Sequence, residues 1–149
     1  MHEPDARGYR GYITSQPVNG TVYPHKVQNL VVRDYCKRKG LPYLLSATEG
    51  SILGSFMMLN AVLEEAPALR GIVLFSQFML PRQRAARAKI YERVNVAGIE
   101  LHAALEEVAI TGPGEIAVFD APLVITPWLP ATPFGGRFPV SGPDKAGFR

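Results

Sequence analysis

The run Gly71-Ile72-Val73-Leu74-Phe75-Ser76 is the clearest strand signal in the chain. It is apolar without interruption, with a glycine before it and a polar residue at its end, which is typical of a strand buried on both faces of a sheet. Two similar runs precede it at residues 11–15 (GYITS) and 43–47 (YLLSA), and another follows at residues 99–105. We therefore expect four buried strands.

Helical patterns separate these strands. The first begins at Pro24 and ends before Gly40, and the second covers residues 54–65 and is closed by Pro67. A third, basic helix starts after Pro81. The residues expected on the inner sides are Val27, Leu30, Val31 and Tyr35 in the first helix and Phe56, Leu59, Val62 and Leu63 in the second.

Alternation of strands and helices predicts a mostly parallel sheet with right-handed crossovers. We expect a three-layer, flavodoxin-like α/β domain whose four strands lie in the order 2-1-3-4, with the fourth strand at one edge. The domain is expected to span residues 10–125. A flexible N-terminus at residues 1–9 precedes it, and a tail rich in Pro and Gly follows at residues 126–149.

Composition excludes several classes of protein. The 149 residues (16.3 kDa) are 47% hydrophobic and 19% charged, which suits one packed domain. No apolar run reaches the roughly 18–20 residues that span a bilayer, and the polar start lacks the apolar core of a signal peptide. The single cysteine, Cys36, can form neither an internal disulfide nor a multi-cysteine zinc site, and we interpret it as a packing residue. We expect a cytoplasmic protein without a membrane partner.

The positive charge is concentrated in one segment. The net charge is +3, and residues 82–93 hold five basic residues and one acid, so the rest of the chain is nearly neutral. This suits a phosphate group or an acidic partner surface better than duplex DNA, so nucleic acid is not the favoured partner. A solvated helix face is the alternative interpretation.

Polar side chains follow the first three strands, at the edge where open parallel sheets bind ligands. Their hydroxyl, amide and carboxylate groups could hydrogen-bond a polyhydroxylated ligand, and two arginines at the start of the basic helix could meet a phosphate. The alternative is that the serines cap the turns that follow them. The residues predicted to bind substrate are Gln16, Ser46, Thr48, Ser76, Gln77, Arg82 and Arg84.

His25 is the best candidate for a catalytic base. It lies in the first turn of the first helix, on the same edge as Ser15, and Glu49 could orient it or replace it. The chain has no G-x-S-x-G elbow, Walker sequence or G-x-G-x-x-G motif, so no cofactor is specified. The spacing of His25, Glu49 and His102 gives no support for a metal. The predicted catalytic residues are His25, Glu49 and Ser15.

Five motifs between Arg10 and Pro81 resemble the bacterial sporadic carbohydrate cluster family, over about half of the chain. They are RGYITS at 10–15, VQNL at 27–30, RDYC at 33–36, YLLSATE at 43–49 and GIV at 71–73. The resemblance implies a cytoplasmic role in polysaccharide or lipopolysaccharide precursor metabolism and assigns no reaction. A weaker similarity to the catalytic domain of serine recombinases rests on the Tyr-Ile strand that ends in Ser15. That similarity implies a shared fold, but the first predicted strand lacks the arginine that those enzymes carry, and no helix-turn-helix follows.

Two hypotheses of function follow. The first is an enzyme or binding protein for a phosphorylated or nucleotide-activated sugar. The second is a non-catalytic module that binds nucleic acid or protein through the basic helix at residues 82–93. We also expect a homo-oligomer, because the fourth strand would leave an unpaired edge. Trp128, Phe134 and Phe138 in the tail are the residues expected to cover a neighbouring subunit.

Overall fold

The computed structural model describes residues 7–125, which form a five-stranded sheet in the order β2-β1-β3-β4-β5. The first four strands are parallel, and the fifth pairs antiparallel with the fourth. The strands are β1 (Gly8–Thr14), β2 (Tyr43–Glu49), β3 (Leu69–Leu74), β4 (Glu100–Ala103) and β5 (Val108–Ile110). The predicted α/β class and the order of the first four strands are confirmed, whereas the predicted number of strands is wrong.

Four α-helices connect and flank the strands: α1 (His25–Lys39), α2 (Met57–Glu64), α3 (Arg84–Ala97) and α4 (Ile116–Ile125). The connection from β1 to β2 runs along the sheet in one direction, and the next two connections run in the other. Right-handed crossovers therefore place α1 on one face and α2 with α3 on the other. Gly40 and Gly98 end α1 and α3 with φ values of 70° and 71°, which glycine adopts without strain. Within residues 7–125, no helix is both long and apolar enough to cross a membrane.

The fourth strand is not an edge, which corrects the prediction. A turn at residues 104–107, in which Glu107 has a φ of 55°, leads into β5. This short strand pairs with β4 and covers it from within the same chain. It has only three residues, too few for an alternating pattern to be recognised. The predicted role of the tail lies outside the described residues, and self-association stays a prediction.

The inner face of α1 agrees with the prediction only in part: Tyr35 is buried and Val31 is partly buried, whereas Val27 is exposed. The buried residues of the helix are Gln28, Val32, Tyr35 and Cys36, whereas Leu30 is 62% exposed. Gln28 lies on this inner face, where its amide pairs with backbone groups at the end of β1. In α2 the predicted Leu59, Val62 and Leu63 are buried.

The observed bounds of β1 and β2 differ from the predicted ones and change the interpretation of the site. β1 starts at Gly8 and so contains Arg10, which the predicted first strand did not; its guanidinium pairs with Glu65 at 3.2 Å. β2 continues to Glu49, so Ser46 lies within the strand and does not end it. The carboxyl edge of β2 is therefore formed by Thr48 and Glu49.

Candidate functional site

A serine and a histidine lie in hydrogen-bond contact at the carboxyl edge of the sheet. Ser15 follows β1 directly, and His25 is the first residue of α1. Ser15 Oγ is 2.8 Å from His25 Nε2. His25 is exposed and Ser15 is partly exposed, so the pair is open to a ligand.

The loop between β1 and α1 reverses the chain direction and so places His25 beside Ser15. Val18 and Thr21 form an antiparallel bridge around Asn19 and Gly20, whose φ values are 51° and 84°. Asn and Gly are the residues that most readily adopt this left-handed backbone. The chain thus reverses direction, and α1 begins beside the end of β1.

Gln16 attaches a second loop to this region. Its Nε2 donates to the carbonyl oxygens of Gly50 and Ser55, both at 3.0 Å, and its Oε1 accepts from the Gly54 amide. The Ser15 amide also donates to the Glu49 carbonyl at 2.9 Å. The amide predicted to bind substrate therefore holds the loop at residues 50–55 beside the Ser15–His25 pair.

Among the described residues no hydrogen bond joins the Glu49 carboxylate to His25, and Glu49 is buried. It accepts hydrogen bonds from the Tyr12 hydroxyl at 2.7 Å and from the amides of Met58 and Leu59 at the start of α2. Ser55 donates a longer bond of 3.4 Å. Burial and the bond to Glu49 raise the pKa of Tyr12 above its usual value. Glu49 therefore anchors α2 to the sheet, and its geometry offers nothing to orient the imidazole.

The other predicted residues on β2 lie apart from the pair. Ser46 donates to Asn29 Oδ1 at 2.7 Å and is 2.7 Å from the Tyr43 hydroxyl. These contacts join the middle of β2 to α1. Thr48 is exposed on the edge strand. Of the two, Thr48 alone lies near the carboxyl end of β2.

The residues after β3 that were predicted to bind substrate are buried and form hydrogen bonds within the domain. Ser76 accepts from the Phe78 amide and donates to Glu106 at 2.6 Å, as a cap that also holds the turn between β4 and β5. The Gln77 side chain is buried and donates to the Phe119 carbonyl in α4 at 2.8 Å. For Ser76, the capping interpretation is the one that the geometry supports.

The basic segment is less basic at its surface than its composition indicates. Arg87 is 2% exposed and forms an ion pair with Asp120 at 2.7 Å. The predicted phosphate-binding Arg82 and Arg84 are exposed at the start of α3. No hydrogen bond between the described residues links Arg84 to Ser15 or His25.

A buried polar network was missed by the sequence reasoning. His102 Nδ1 is 2.7 Å from the Tyr35 hydroxyl, and His102 Nε2 is 2.8 Å from Glu100 Oε1, which also accepts from Tyr9. Burial and the bond to Glu100 raise the pKa of Tyr9 to about 12. Residues 100 and 102 share one face of β4, and this two-residue spacing was the available signal. The network joins β1, β4 and α1 and gives His102 a structural role.

Cys36 is buried in α1, as the packing interpretation requires, and burial raises its pKa to about 11. Because the thiolate is the reactive form, we expect the native protein to resist a disulfide reagent near pH 8, roughly the ordinary pKa of a thiol. Reaction should follow unfolding and be complete in denaturant. Immediate labelling of the folded protein would contradict this placement.

The described residues provide no evident metal centre, since no three His, Cys, Asp or Glu side chains among them come together. Comparisons with protein-family models, with curated proteins and with solved structures find no match. The geometry of Ser15 and His25 is therefore the main guide to function.

Proposed function

We propose that this protein is a cytoplasmic enzyme that binds and modifies a phosphorylated or nucleotide-activated sugar, with Ser15 and His25 as its reacting pair. The observation that carries the proposal is the open 2.8 Å contact between Ser15 Oγ and His25 Nε2. The sugar class comes from the resemblance of residues 10–81 to the carbohydrate cluster family. A phosphorylated sugar supplies both an electrophilic phosphorus and an anion for nearby donors.

The pair has the chemistry of a nucleophile and its base. In the tautomer with the proton on Nδ1, His25 Nε2 accepts the Ser15 hydroxyl proton as Oγ attacks the substrate. For transfer from a phosphate ester, an Oγ–P bond forms and the bond from phosphorus to the leaving oxygen breaks. His25 then returns the proton to that oxygen.

The start of α1 adds donors for a phosphate group. The first bond of the helix runs from the Gln28 amide to the Pro24 carbonyl, and no side chain caps this end. The amides of residues 25–27 therefore have no partner within the helix, and Lys26 is exposed beside them. A helix N-terminus with a neighbouring cation favours an anion.

The alternative function through the basic helix has less support. Its central arginine, Arg87, is paired with Asp120 in the interior and offers no charge to a partner. Arg93 donates to Asn60 on α2 at 3.1 Å. The segment therefore exposes four cations, Arg82, Arg84, Lys89 and Arg93, and not the five that its composition provides for phosphate contacts.

Thermal shift tests the proposal with UDP-glucose, glucose 1-phosphate, glucose and a single-stranded oligonucleotide as probes. Sugar nucleotide or sugar phosphate should raise the Tm, since ligand at about 100 times its Kd stabilises by about 2.7 kcal/mol. His25→Gln should abolish this rise while changing stability by no more than about 0.5 kcal/mol, because His25 is exposed.

Lys37→Gln is the matched control, because it changes an exposed residue at the far end of α1. It should leave the ligand response unchanged. Stabilisation by the oligonucleotide alone, lost as salt rises, would reject the sugar proposal. A full response in folded His25→Gln would remove this residue from the site.

A further inference from the structure

One side chain joins the two backbone segments that carry the reacting pair. Gln28 is fully buried in α1, and its Oε1 accepts from the Thr14 amide at 2.9 Å. Its Nε2 donates to the Thr14 carbonyl at 2.8 Å and to the Tyr23 carbonyl at 2.9 Å. Thr14 directly precedes Ser15, and Tyr23 lies shortly before His25.

The amide of Gln28 acts at a distance from the reacting atoms. It pairs with both backbone groups of Thr14, as a neighbouring strand would, and so fixes the peptide that leads into Ser15. The bond to Tyr23 fixes the approach to α1 from the other side of the loop. Its hydrogen-bond partners among the described residues are backbone groups, and neither the Ser15 hydroxyl nor the His25 ring is among them.

These contacts require the chemistry of a primary amide. One planar group must accept from one amide and donate to two carbonyls, and glutamine has both functions. Glutamate lacks the donors, and its charge would face two carbonyl oxygens. Methionine has a similar length but makes none of the three bonds.

We propose that Gln28 is the positioning residue of the Ser15–His25 pair, which it holds at hydrogen-bond distance by fixing the backbone on both sides of the connecting loop. The consequence for catalysis rests on the proposed function. The effect on the Ser15–His25 contact does not, and it can be measured without substrate.

The test is the imidazole ¹⁵N spectrum of His25 in the full chain, which reports the tautomer and the hydrogen bond at Nε2. Ser15→Ala provides the reference change, because it removes the hydroxyl. We expect Gln28→Glu to move the His25 Nε2 resonance in the same direction and by a similar amount. Addition of Ser15→Ala to Gln28→Glu should then have little further effect.

Tyr91→Phe is the matched control, because it removes a partly buried hydrogen bond to Asp120 that lies outside the site. It should leave the His25 resonances unchanged, which separates positioning from a general loss of stability. Gln28→Met is the second variant if Gln28→Glu does not fold, since it removes the same bonds without burying a charge.

Unchanged His25 resonances in the folded Gln28 variant, together with a clear change in Ser15→Ala, would overturn this inference alone. If Ser15→Ala itself leaves His25 unchanged, the pair does not form in solution and the proposed function fails as well. The two failures are therefore distinguishable in one set of spectra.

Discussion

Replacement of Arg87 by methionine is expected to lower the free energy of unfolding by about 3–5 kcal/mol, the usual cost of breaking a buried ion pair. The guanidinium is held by Asp120 at 2.7 and 3.2 Å and by the carbonyls of Pro81 and Arg82 at 3.1 and 2.6 Å. Methionine fills much of the volume but leaves a carboxylate and two carbonyls without this donor. Urea denaturation followed by circular dichroism measures the loss.

Arg84→Met is the control, because it removes an exposed arginine from the same helix. Its effect should stay within about 0.5 kcal/mol. Equal stabilities of the two variants would contradict the structural role of Arg87. They would also restore the interpretation of the basic segment as a solvated face.

The effect of Arg87→Met should depend on pH. Burial raises the pKa of Asp120, but the hydrogen bonds from Arg87 and Tyr91 and the charge of Arg87 outweigh it, and the net shift is downward. A lowered pKa in the folded state contributes stability above the ordinary aspartate pKa of about 3.9, and this is lost as pH falls through the folded value. In Arg87→Met, burial still raises the pKa of Asp120, but the charge and the hydrogen bonds of Arg87 no longer lower it. The difference in free energy of unfolding between the native protein and Arg87→Met should therefore decrease as the pH falls.

Glu49→Ala is expected to cost about 3 kcal/mol or more, because it leaves several buried donors unsatisfied at about 1–3 kcal/mol each. The Tyr12 hydroxyl and the Leu59 amide lose an acceptor in the core, and α2 loses the anion at its N-terminus. Glu49→Gln keeps an acceptor but not the charge, so it should cost less, about 1 kcal/mol. Chemical denaturation with two probes, fluorescence and circular dichroism, measures both variants.

Glu64→Ala provides the comparison, since this exposed carboxylate lies at the opposite end of α2. A negative charge there opposes the helix dipole, so its removal should be neutral or slightly stabilising. If Glu49→Ala and Glu64→Ala prove equally stable, Glu49 does not anchor the helix. A catalytic role for Glu49 would then regain support.

The pattern of apolar runs was sufficient to predict the class of fold. An apolar run such as residues 71–76 has few alternatives to a buried strand, and alternation with helices restricts the topology to a parallel sheet. The same reasoning placed Ser15 and His25 on one edge, because a strand end and the start of the next helix must meet there. Their direct contact depends on the turn at Asn19 and Gly20, which gives a weaker local signal.

Tertiary structure decided which polar groups remained available to a ligand. The sequence alone does not distinguish among the serines, glutamines and carboxylates that were predicted at the carboxyl edge of the sheet. In the fold, however, Glu49 accepts hydrogen bonds from Tyr12 and from the start of α2. Ser76 donates to Glu106, and Gln77 donates to a carbonyl of α4. A hydrogen bond to a residue distant in sequence leaves no periodic pattern, since it depends on which elements the fold brings together. The sequence by itself therefore determined the first four strands, the first three helices and the edge that carries the site, but neither β5 nor α4. Only the packing of these elements decided that Ser15 and His25 form an exposed pair, whereas Glu49, Ser76 and Gln77 are buried and stabilise the fold.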